Sequence, residues 1–571
     1  ISARVHRAHA AGSAVPLRIS AHEDSLGPAL ERLAVQVVSA VWQREQLPTV
    51  PEIDRSATQS AEALKAYLEA KGALRQGRID AARQAVERAV ALDSTFALAH
   101  LERFLIQARI LSARGRPLTG LRPMIERAAR HAGRLTPRNR MRIDAHRALD
   151  ATDGRRAAFL FERILAIDSL DVDALEGLAF TYLTLGWQIE ADAGDVERAH
   201  RRVLRADSAN TEALATLARL AWWRDELGAA GAWVERLGQE DSLTAHARGT
   251  RAAHQILTAR ESGVDPLLRR WAGEEVGVVT AVLRDLRTVR PGLAEGFLDA
   301  LSADSMPTYH RRLARGGRAQ LWFARGRLAA VDSLLEAGEL ETLRTPLAVF
   351  HVAAALAGVG DREAAARSAR ALPARTPLDS LEAHLETRDV WRTAWAVGAY
   401  HAAFGDTVLA RRWRDAVAEL PPGETTTVPE WPSALASDLE ARLAVRRGDA
   451  EAADRWSLRA HERWSVHGST SLEHHPEPAI RFHRAQVLRD RGATGRARAL
   501  YRSLCPPHTW MGFYTARSWL ELAKLQEAAG ETAEAALNYR AAARMWEAGD
   551  EVVVGRWLDE ARAGVERSTG Q

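Results

Sequence analysis

The chain contains very little cysteine and almost no lysine. Cys505 is the one cysteine in 571 residues, which excludes an intrachain disulfide framework and a metal site built from several thiolates. Of the 78 Lys and Arg residues, only Lys65, Lys71 and Lys524 are lysines. This bias toward arginine is typical of GC-rich coding DNA.

Long apolar runs and catalytic motifs are also missing. No apolar run approaches the roughly 18 residues that a membrane span requires; the longest, residues 347–359, includes His351. No Gly-x-Ser-x-Gly, His-Glu-x-x-His, Walker or dinucleotide-binding motif occurs. We therefore predict no catalytic, cofactor-binding or metal-binding residues and no enzyme activity, with an active site of dispersed residues as the minor alternative.

The charge pattern argues against a nucleic-acid partner. The 78 basic residues are nearly balanced by 74 acidic ones, which leaves a net charge of +4. No basic block with interleaved aromatic residues stands out, although nucleic-acid binding usually requires one. Dispersed charges of both signs are typical of solvated helix faces.

The first residues differ from the rest. Alternating apolar residues at Ala3 and Val5, and again at Val15 and Leu17, predict two strands joined by a turn. A helix bearing Leu26 to Val41 follows. We interpret residues 1–48 as the end of an α/β domain and 49–60 as a linker. Because the chain begins at Ile1 without a signal-peptide pattern, we expect a processed product or a fragment.

The clearest pattern lies near the C-terminus. A large anchor, small contacts and a turn glycine stand at the offsets of a tetratricopeptide (TPR) helix pair: Trp519, Leu522, Ala523, Gly530, Ala535, Tyr539 and Ala542. Such a pair must stack on neighbours to bury its apolar face. The resemblance to TPR repeats implies an all-α solenoid of antiparallel helix pairs. The short N-terminal β-hairpin, predicted from the alternating residues, would precede it as a remnant of the α/β domain.

Weaker copies of this pattern recur along the chain. We predict TPR-like repeats over 61–242, an irregular helical segment over 243–320 and further TPR-like repeats over 321–571. Four Asp-Ser pairs, at 93–94, 168–169, 207–208 and 241–242, precede new helical patterns and are predicted to cap them. Small-contact alanines from Ala365 to Ala497 recur every 43 to 45 residues, against about 34 in a regular TPR.

The opening 190 residues resemble a more particular arrangement. Segments 24–33, 60–69, 91–99 and 135–138 are similar to the region after the catalytic part of bacterial serine/threonine kinases with TPR tails. In that family a small TolB-like α/β domain precedes the repeats. The resemblance implies a sensor or interaction module of a bacterial signalling protein. The resemblance does not imply kinase activity, because the ATP-binding and catalytic segments of a kinase are absent from this chain.

The TPR register predicts one ligand-binding surface. It places seven residues on or beside the first-helix face that TPR arrays present to ligands: Phe482, His483, Gln486, Arg489, Arg517, Glu521 and Lys524. We expect a non-enzymatic scaffold that binds a protein or peptide there. The alternative is a regulatory tail of a kinase or cyclase whose catalytic domain lies upstream. The cellular location of the chain stays open. We expect a soluble bacterial module that is either cytoplasmic or tethered by an upstream membrane segment.

Other candidate groups have simpler interpretations. The pair His474-His475 could offer metal ligands, but its flanking prolines favour a surface loop. The run from Asp168 to Asp173 lacks the glycine and glutamate of a calcium loop, so helix capping is favoured. Most tryptophans are expected to pack between helices, and Cys505 is expected to be buried and inert.

Overall fold

A computed structural model of the chain describes residues 2–5, 15–18, 58–75, 78–113, 120–189, 191–336, 344–374, 378, 389–420, 431–463, 476–506 and 512–570. Strands β1 (Ser2–Val5) and β2 (Val15–Arg18) pair antiparallel, with Val5 opposite Val15. The predicted N-terminal hairpin is thus confirmed. The helix predicted over Leu26 to Val41 and the pair His474-His475 lie outside the described residues.

Beyond the hairpin, the described residues form 27 α-helices. The first fifteen are α1 (Ala61–Arg75), α2 (Ile79–Leu92), α3 (Ala97–Ala113), α4 (Arg122–Arg130), α5 (Pro137–Asp150), α6 (Gly154–Ile167), α7 (Val172–Leu185), α8 (Ala193–Ala206), α9 (Thr211–Trp223), α10 (Leu227–Glu240), α11 (Ala245–Thr258), α12 (Glu261–Ala272), α13 (Val276–Val289), α14 (Pro291–Leu301) and α15 (Thr308–Ala324).

The remaining helices are α16 (Leu328–Glu336), α17 (Arg344–Leu356), α18 (Arg362–Ala371), α19 (Asp389–Ala403), α20 (Thr407–Ala418), α21 (Trp431–Arg447), α22 (Ala450–Arg463), α23 (Pro476–Asp490), α24 (Thr494–Arg502), α25 (Phe513–Ala528), α26 (Thr532–Trp546) and α27 (Glu551–Thr569). Most consecutive helices pack against one another along the chain. The fold is the TPR-like α-solenoid that the repeats predicted.

Local sequence explains the helix boundaries. The predicted turn glycines Gly448, Gly492 and Gly530 have φ angles of +74°, +74° and +78°, a left-handed conformation that glycine adopts without steric cost. Between the helices of the last predicted pair, Trp519, Ala535 and Tyr539 are fully buried. The anchor and small-contact positions of the TPR pattern are therefore confirmed.

The Asp-Ser pairs cap differently from the prediction. Asp168, Asp207 and Asp241 end the preceding helix instead of starting the next one. The N-cap is instead the residue three positions further on, whose side chain accepts a hydrogen bond from a backbone N–H in the first turn of the next helix. These residues are all of types that suit an N-cap: Asp171, Asn210 and Thr244. Capping at Asp171 confirms the structural interpretation of the Asp168–Asp173 run.

The C-terminal helices close into a ring, which we call the C-terminal ring and define as the described residues between 323 and 569. Helices from its two ends touch: the side-chain ring centroid of Phe513 on α25 lies 6.2 Å from that of Phe323 and 6.5 Å from that of Phe350. The Asp550 N–H donates to the Gly326 carbonyl at 3.2 Å. One continuous apolar core joins these helices, whereas an open solenoid would leave its two ends apart.

The ring also contacts the preceding array. Arg544 NH1 lies 3.9 Å from Asp225 Oδ2 on the turn after α9, and α24 packs against residues 186–188. The helical array therefore curves back on itself, so that its concave side encloses a central space.

Candidate functional site

The space on the concave side is a partly open cavity of about 2100 Å³, which we call the axial cavity. Every odd-numbered helix from α1 to α15, the first helix of each successive pair, contributes lining residues, and α22 to α24 form part of the facing wall. The lining includes twelve Lys and Arg residues and eleven Asp and Glu residues. The charges of the lining thus nearly cancel.

A first network of charges joins α1, α3, α5 and α7. Lys71 Nζ lies 3.4 Å from Glu102 Oε2 and 3.2 Å from Asp173 Oδ2, and Arg142 NH2 lies 2.6 Å from Asp171 Oδ2. Burial lowers the pKa of Lys71, but the carboxylates of Asp173 and Glu102 outweigh burial and raise that pKa above its usual value. The buried lysine is therefore charged, and the network fixes neighbouring helices relative to one another.

A second network joins α9, α11 and α13. His246 Nε2 lies 3.4 Å from Glu212 Oε2, and Arg219 Nε lies 3.3 Å from Asp285 Oδ1. Burial lowers the pKa of His246 to about 4, against the opposing charge of Glu212. The imidazole is therefore neutral at pH 7, and its Nε2 accepts a hydrogen bond from Arg219 NH2 at 3.3 Å.

The facing wall is more cationic. Burial, together with the charges of Arg481, Arg484 and Arg155, lowers the pKa of His461 to about 3. Arg484 NH1 donates to the Asp454 carbonyl at 2.9 Å and to Ser457 Oγ at 2.9 Å. These contacts hold the guanidinium in place at the cavity wall.

Apolar side chains also face the axial cavity. Phe180 is 50% exposed, Leu243 83%, Tyr309 53% and Leu458 40%, and all four line the cavity. Large apolar groups left in contact with water mark surfaces that bind a partner. The cavity can therefore contact polar and apolar groups of the same ligand.

The seven predicted ligand-binding residues lie in the C-terminal ring, on α23 and α25. Phe482, His483, Arg517 and Glu521 are buried, while Gln486, Arg489 and Lys524 are half-buried. The expectation that they share a face open to ligands is wrong for the four buried residues. Their role in ligand binding stays a prediction.

Four of the seven form one ion-pair network around a carboxylate. Glu521 accepts from Arg517 NH2 at 2.9 Å and from Arg489 NH1 at 2.6 Å, and Lys524 Nζ lies 3.6 Å away. Burial raises the pKa of Glu521, but these three cations outweigh burial and lower it. The TPR register thus grouped residues that do contact one another, but their charges already have partners within the chain.

Distant elements account for this burial. Arg517 Nε donates to the Ala357 carbonyl at 2.9 Å, just beyond α17. The Arg517 guanidinium lies 4.0 Å over the Trp557 ring, and Trp557 Nε1 donates to the Gly358 carbonyl at 2.6 Å. Helix α27 and the end of α17 therefore cover the surface that the register assigned to a ligand.

His483 is also held by a residue of another helix. His483 Nδ1 lies 3.0 Å from Asp438 Oδ1. Asp438 also accepts from Trp395 Nε1 at 2.9 Å and from Arg442 Nε at 2.8 Å. No sequence pattern points to Asp438 or Arg442. Trp395 is fully buried, as expected of a packing tryptophan.

Two further sequence predictions concern isolated groups. Cys505 is buried, which confirms that part of the prediction, and its burial raises the pKa of the thiol well above the usual value. Within the described ranges, no His, Cys, Asp and Glu side chains cluster as a metal site would require. None of the described helices is long and apolar enough to span a bilayer.

No protein-family profile matches the chain, and no curated protein matches it. Similar solved structures include the human IFIT1 dimer with m7Gppp-AAAA, with 12% identity over 92% of this chain and 96% of that one and a TM-score of 0.26. Yeast Tom70 has 11% identity over 76% of this chain and 96% of that one, with a TM-score of 0.22. Because these identities and TM-scores are low, the fold assignment rests on the helix packing of this chain alone.

Proposed function

We propose that this chain is a non-enzymatic scaffold that binds a protein or peptide segment in its axial cavity. The observation that carries the proposal is the cavity itself, about 2100 Å³ and lined by the first helix of eight successive pairs. Sites for small molecules are typically about 300–1,000 Å³. A cavity of this volume, lined by eight successive helix pairs, suits a polymer better than a metabolite.

The charge of the lining favours a polypeptide over a nucleic acid. Nucleic-acid sites neutralise phosphates and therefore carry a clear excess of Lys and Arg. Here eleven carboxylates accompany twelve cations. Exposed apolar groups such as Phe180 and Leu458 add the contacts that dominate binding energy at protein interfaces.

A peptide-display selection against the full chain tests this proposal. A selected peptide is expected to bind the wild type and to lose at least ~10-fold in affinity with Leu105→Asp or Phe180→Asp. The matched control is Ile167→Asp, because Ile167 is 63% exposed on α6 and does not line the cavity. Peptides that bind all three variants equally, or single-stranded RNA that binds in their place, would contradict the proposal.

The surface of seven residues predicted from the sequence is the second candidate site. Lys524 supports it, since its side chain is 31% exposed, and Gln486 is half-buried. The double variant Gln486→Ala, Lys524→Ala tests this surface without removing a buried charge. A loss of affinity for the selected peptide with this variant, but not with Phe180→Asp, would favour the C-terminal surface.

The cellular role belongs to the same proposal. The similarity of segments 24–33, 60–69, 91–99 and 135–138 to kinase-associated TPR tails supports an interaction module of a bacterial signalling protein, or a regulatory tail of a kinase or cyclase. A genomic reading frame that continues upstream into a catalytic domain would favour the tail. A reading frame that continues upstream into no catalytic domain would favour the separate scaffold.

A further inference from the structure

Helix α15 contains two adjacent glycines, and packing explains only one of them. Gly316 and Gly317 lie in the middle of the 17-residue helix, where glycine is less favourable than alanine because it loses more conformational freedom on folding. A Cβ atom on Gly317 would lie 2.9 Å from Leu298 Cδ2 and 3.3 Å from Leu283 Cδ2. The close contact with α13 and α14 therefore requires glycine at position 317.

Gly316 has no such packing reason. A Cβ atom at this position would meet no atom of the described residues within 4 Å beyond the backbone of its own helix. Gly316 lines the axial cavity, so the open space beside it belongs to that cavity. An alanine would fit here and would favour the helix. The glycine instead leaves the helix backbone open to close approach by a ligand.

Three side chains flank Gly316 along the cavity face of α15. Tyr309 and Arg312 lie seven and four residues before it and Gln320 lies four residues after it, which places all of them on one face of the helix. All line the axial cavity. Tyr309 is 53% exposed, Arg312 is exposed and Gln320 is half-buried. We call these four residues the α15 stripe, and Gly316 is its bare centre.

The guanidinium of Arg312 is available to a ligand. Arg312 forms no ion pair or hydrogen bond through its side chain within the part of the chain that the structure describes. Its neighbour Arg311, by contrast, lies 3.9 Å from Asp304. Because a guanidinium matches the geometry of a carboxylate, Arg312 can pair with an acidic group of a ligand without losing another partner.

Helix α13 adds a second cation beside the stripe. Arg284 follows Leu283, the residue that packs under Gly317, and lines the cavity with a side chain that is 41% exposed. Its Nε and NH2 donate to Asp285 at 2.8 and 3.1 Å. The Asp285 side chain is 2% exposed, and it is the one carboxylate among the lining residues of α13 and α15. The positive charge on this wall is therefore the charge that a ligand can reach.

We propose that the bound segment passes closest to the cavity wall at the α15 stripe, with its main chain over Gly316 and an acidic side chain on Arg312. This inference rests on the proposed function and names the part of the site and the class of side chain recognised. Because the bare centre lies between Arg312 and Gln320, a segment that passes over it extends beyond it on both sides. The carboxylate therefore comes from a side chain and not from a chain terminus.

A side chain added at Gly316 tests the close approach. Gly316→Leu should slow hydrogen exchange in α15, because leucine favours a helix more than glycine does. It should also weaken binding of the display-selected peptide at least ~10-fold in fluorescence anisotropy, because the leucine occupies the place of the peptide main chain. Unchanged affinity would overturn the inference, and faster exchange in α15 would overturn the open space on which it rests.

The matched control for this variant is Gly263→Leu on α12. A Cβ atom on Gly263 also meets nothing within 4 Å, and Gly263 does not line the cavity. The control should leave the affinity for the peptide unchanged. An equal loss of affinity in the control would overturn the assignment to Gly316.

A double-mutant cycle tests the acidic side chain. Replacing the Asp and Glu residues of the display-selected peptide by Asn and Gln should cost at least ~10-fold in affinity for the wild type, but less than ~2-fold for Arg312→Gln. The matched control is Arg315→Gln, because Arg315 is exposed on α15 and does not line the cavity; it should behave as the wild type. An equal cost in the wild type and Arg312→Gln, or a loss on amidating the peptide C-terminus instead, would overturn the acidic side chain.

These outcomes also separate this inference from the proposed function. If display-selected peptides bind in the axial cavity but carry no acidic residue and are unaffected by Gly316→Leu, the inference fails and the scaffold stands. If no polypeptide binds the cavity at all, the proposed function fails and the inference fails with it.

Discussion

Replacing Glu521 by glutamine removes one charge from the C-terminal ring and leaves its shape unchanged. The Glu521 side chain is 4% exposed and is the shared partner of Arg517, Arg489 and Lys524. In the variant Glu521→Gln, Arg517 keeps its hydrogen bond to the Ala357 carbonyl and its position over Trp557. It loses the carboxylate that offsets the cost of burying its charge.

The expected loss is large because the arginine stays buried. Breaking a buried ion pair by removing one partner costs about 3–5 kcal/mol, since the remaining charge has no compensation. Glu521 also has a lowered pKa in the folded chain, from a usual value of 4.5. Its contribution to stability is therefore fully present above pH 4.5 and is lost as the pH falls through the lowered pKa. The variant should lack this part of the acid sensitivity.

Urea unfolding, with hydrogen exchange at α17, α25 and α27 as the readout, measures the loss of stability where it arises. The matched control is Glu534→Gln on the exposed face of α26, which should change the free energy of unfolding by less than about 0.5 kcal/mol. A Glu521→Gln variant within 1 kcal/mol of the wild type would refute the reasoning that the network is a buried, structural one.

Two further predictions concern packing and pH. Ala535 is fully buried between the helices of the last pair, so Ala535→Leu should destabilise the C-terminal ring by about 1–3 kcal/mol. Hydrogen exchange should become faster in the ring and stay unchanged around Ala82. Burial lowers the pKa of His146 to about 4 from 6.5, so its protonation should cost the array up to about 3 kcal/mol as the pH falls from 6.5 to 4. Melting curves of His146→Gln should lack that loss; an identical pH profile would argue that the imidazole is not buried.

The helical array could be predicted because its signals are local. Anchor and small-contact spacing at Trp519, Ala535 and Tyr539, and glycines with positive φ at the turns, depend on residues within one helix pair. The caps were placed three residues too early because several acceptors compete near each helix start. Asp168 and Asp171 are both suitable by composition, and the helix geometry selects the second.

The environment of the candidate site could not be predicted in the same way. Arg517 and Glu521 were grouped correctly, since four positions on a helix bring their side chains together. Their burial depends on Ala357 and Trp557, which meet them only because the C-terminal ring closes. No local register encodes that contact. The axial cavity could not be predicted either, because only the curvature of the array brings the first helices of successive pairs around a common space.

The location of a bound segment tests the account most directly. A photo-crosslinking amino acid placed at Phe180, inside the axial cavity, should form an adduct with the display-selected peptide, whereas the same group at Ile167, on α6 and away from the cavity lining, should not. Mass spectrometry of the adduct identifies the site on both chains. An adduct from position 167 alone, or from Lys524 in the C-terminal ring, would contradict binding in the axial cavity.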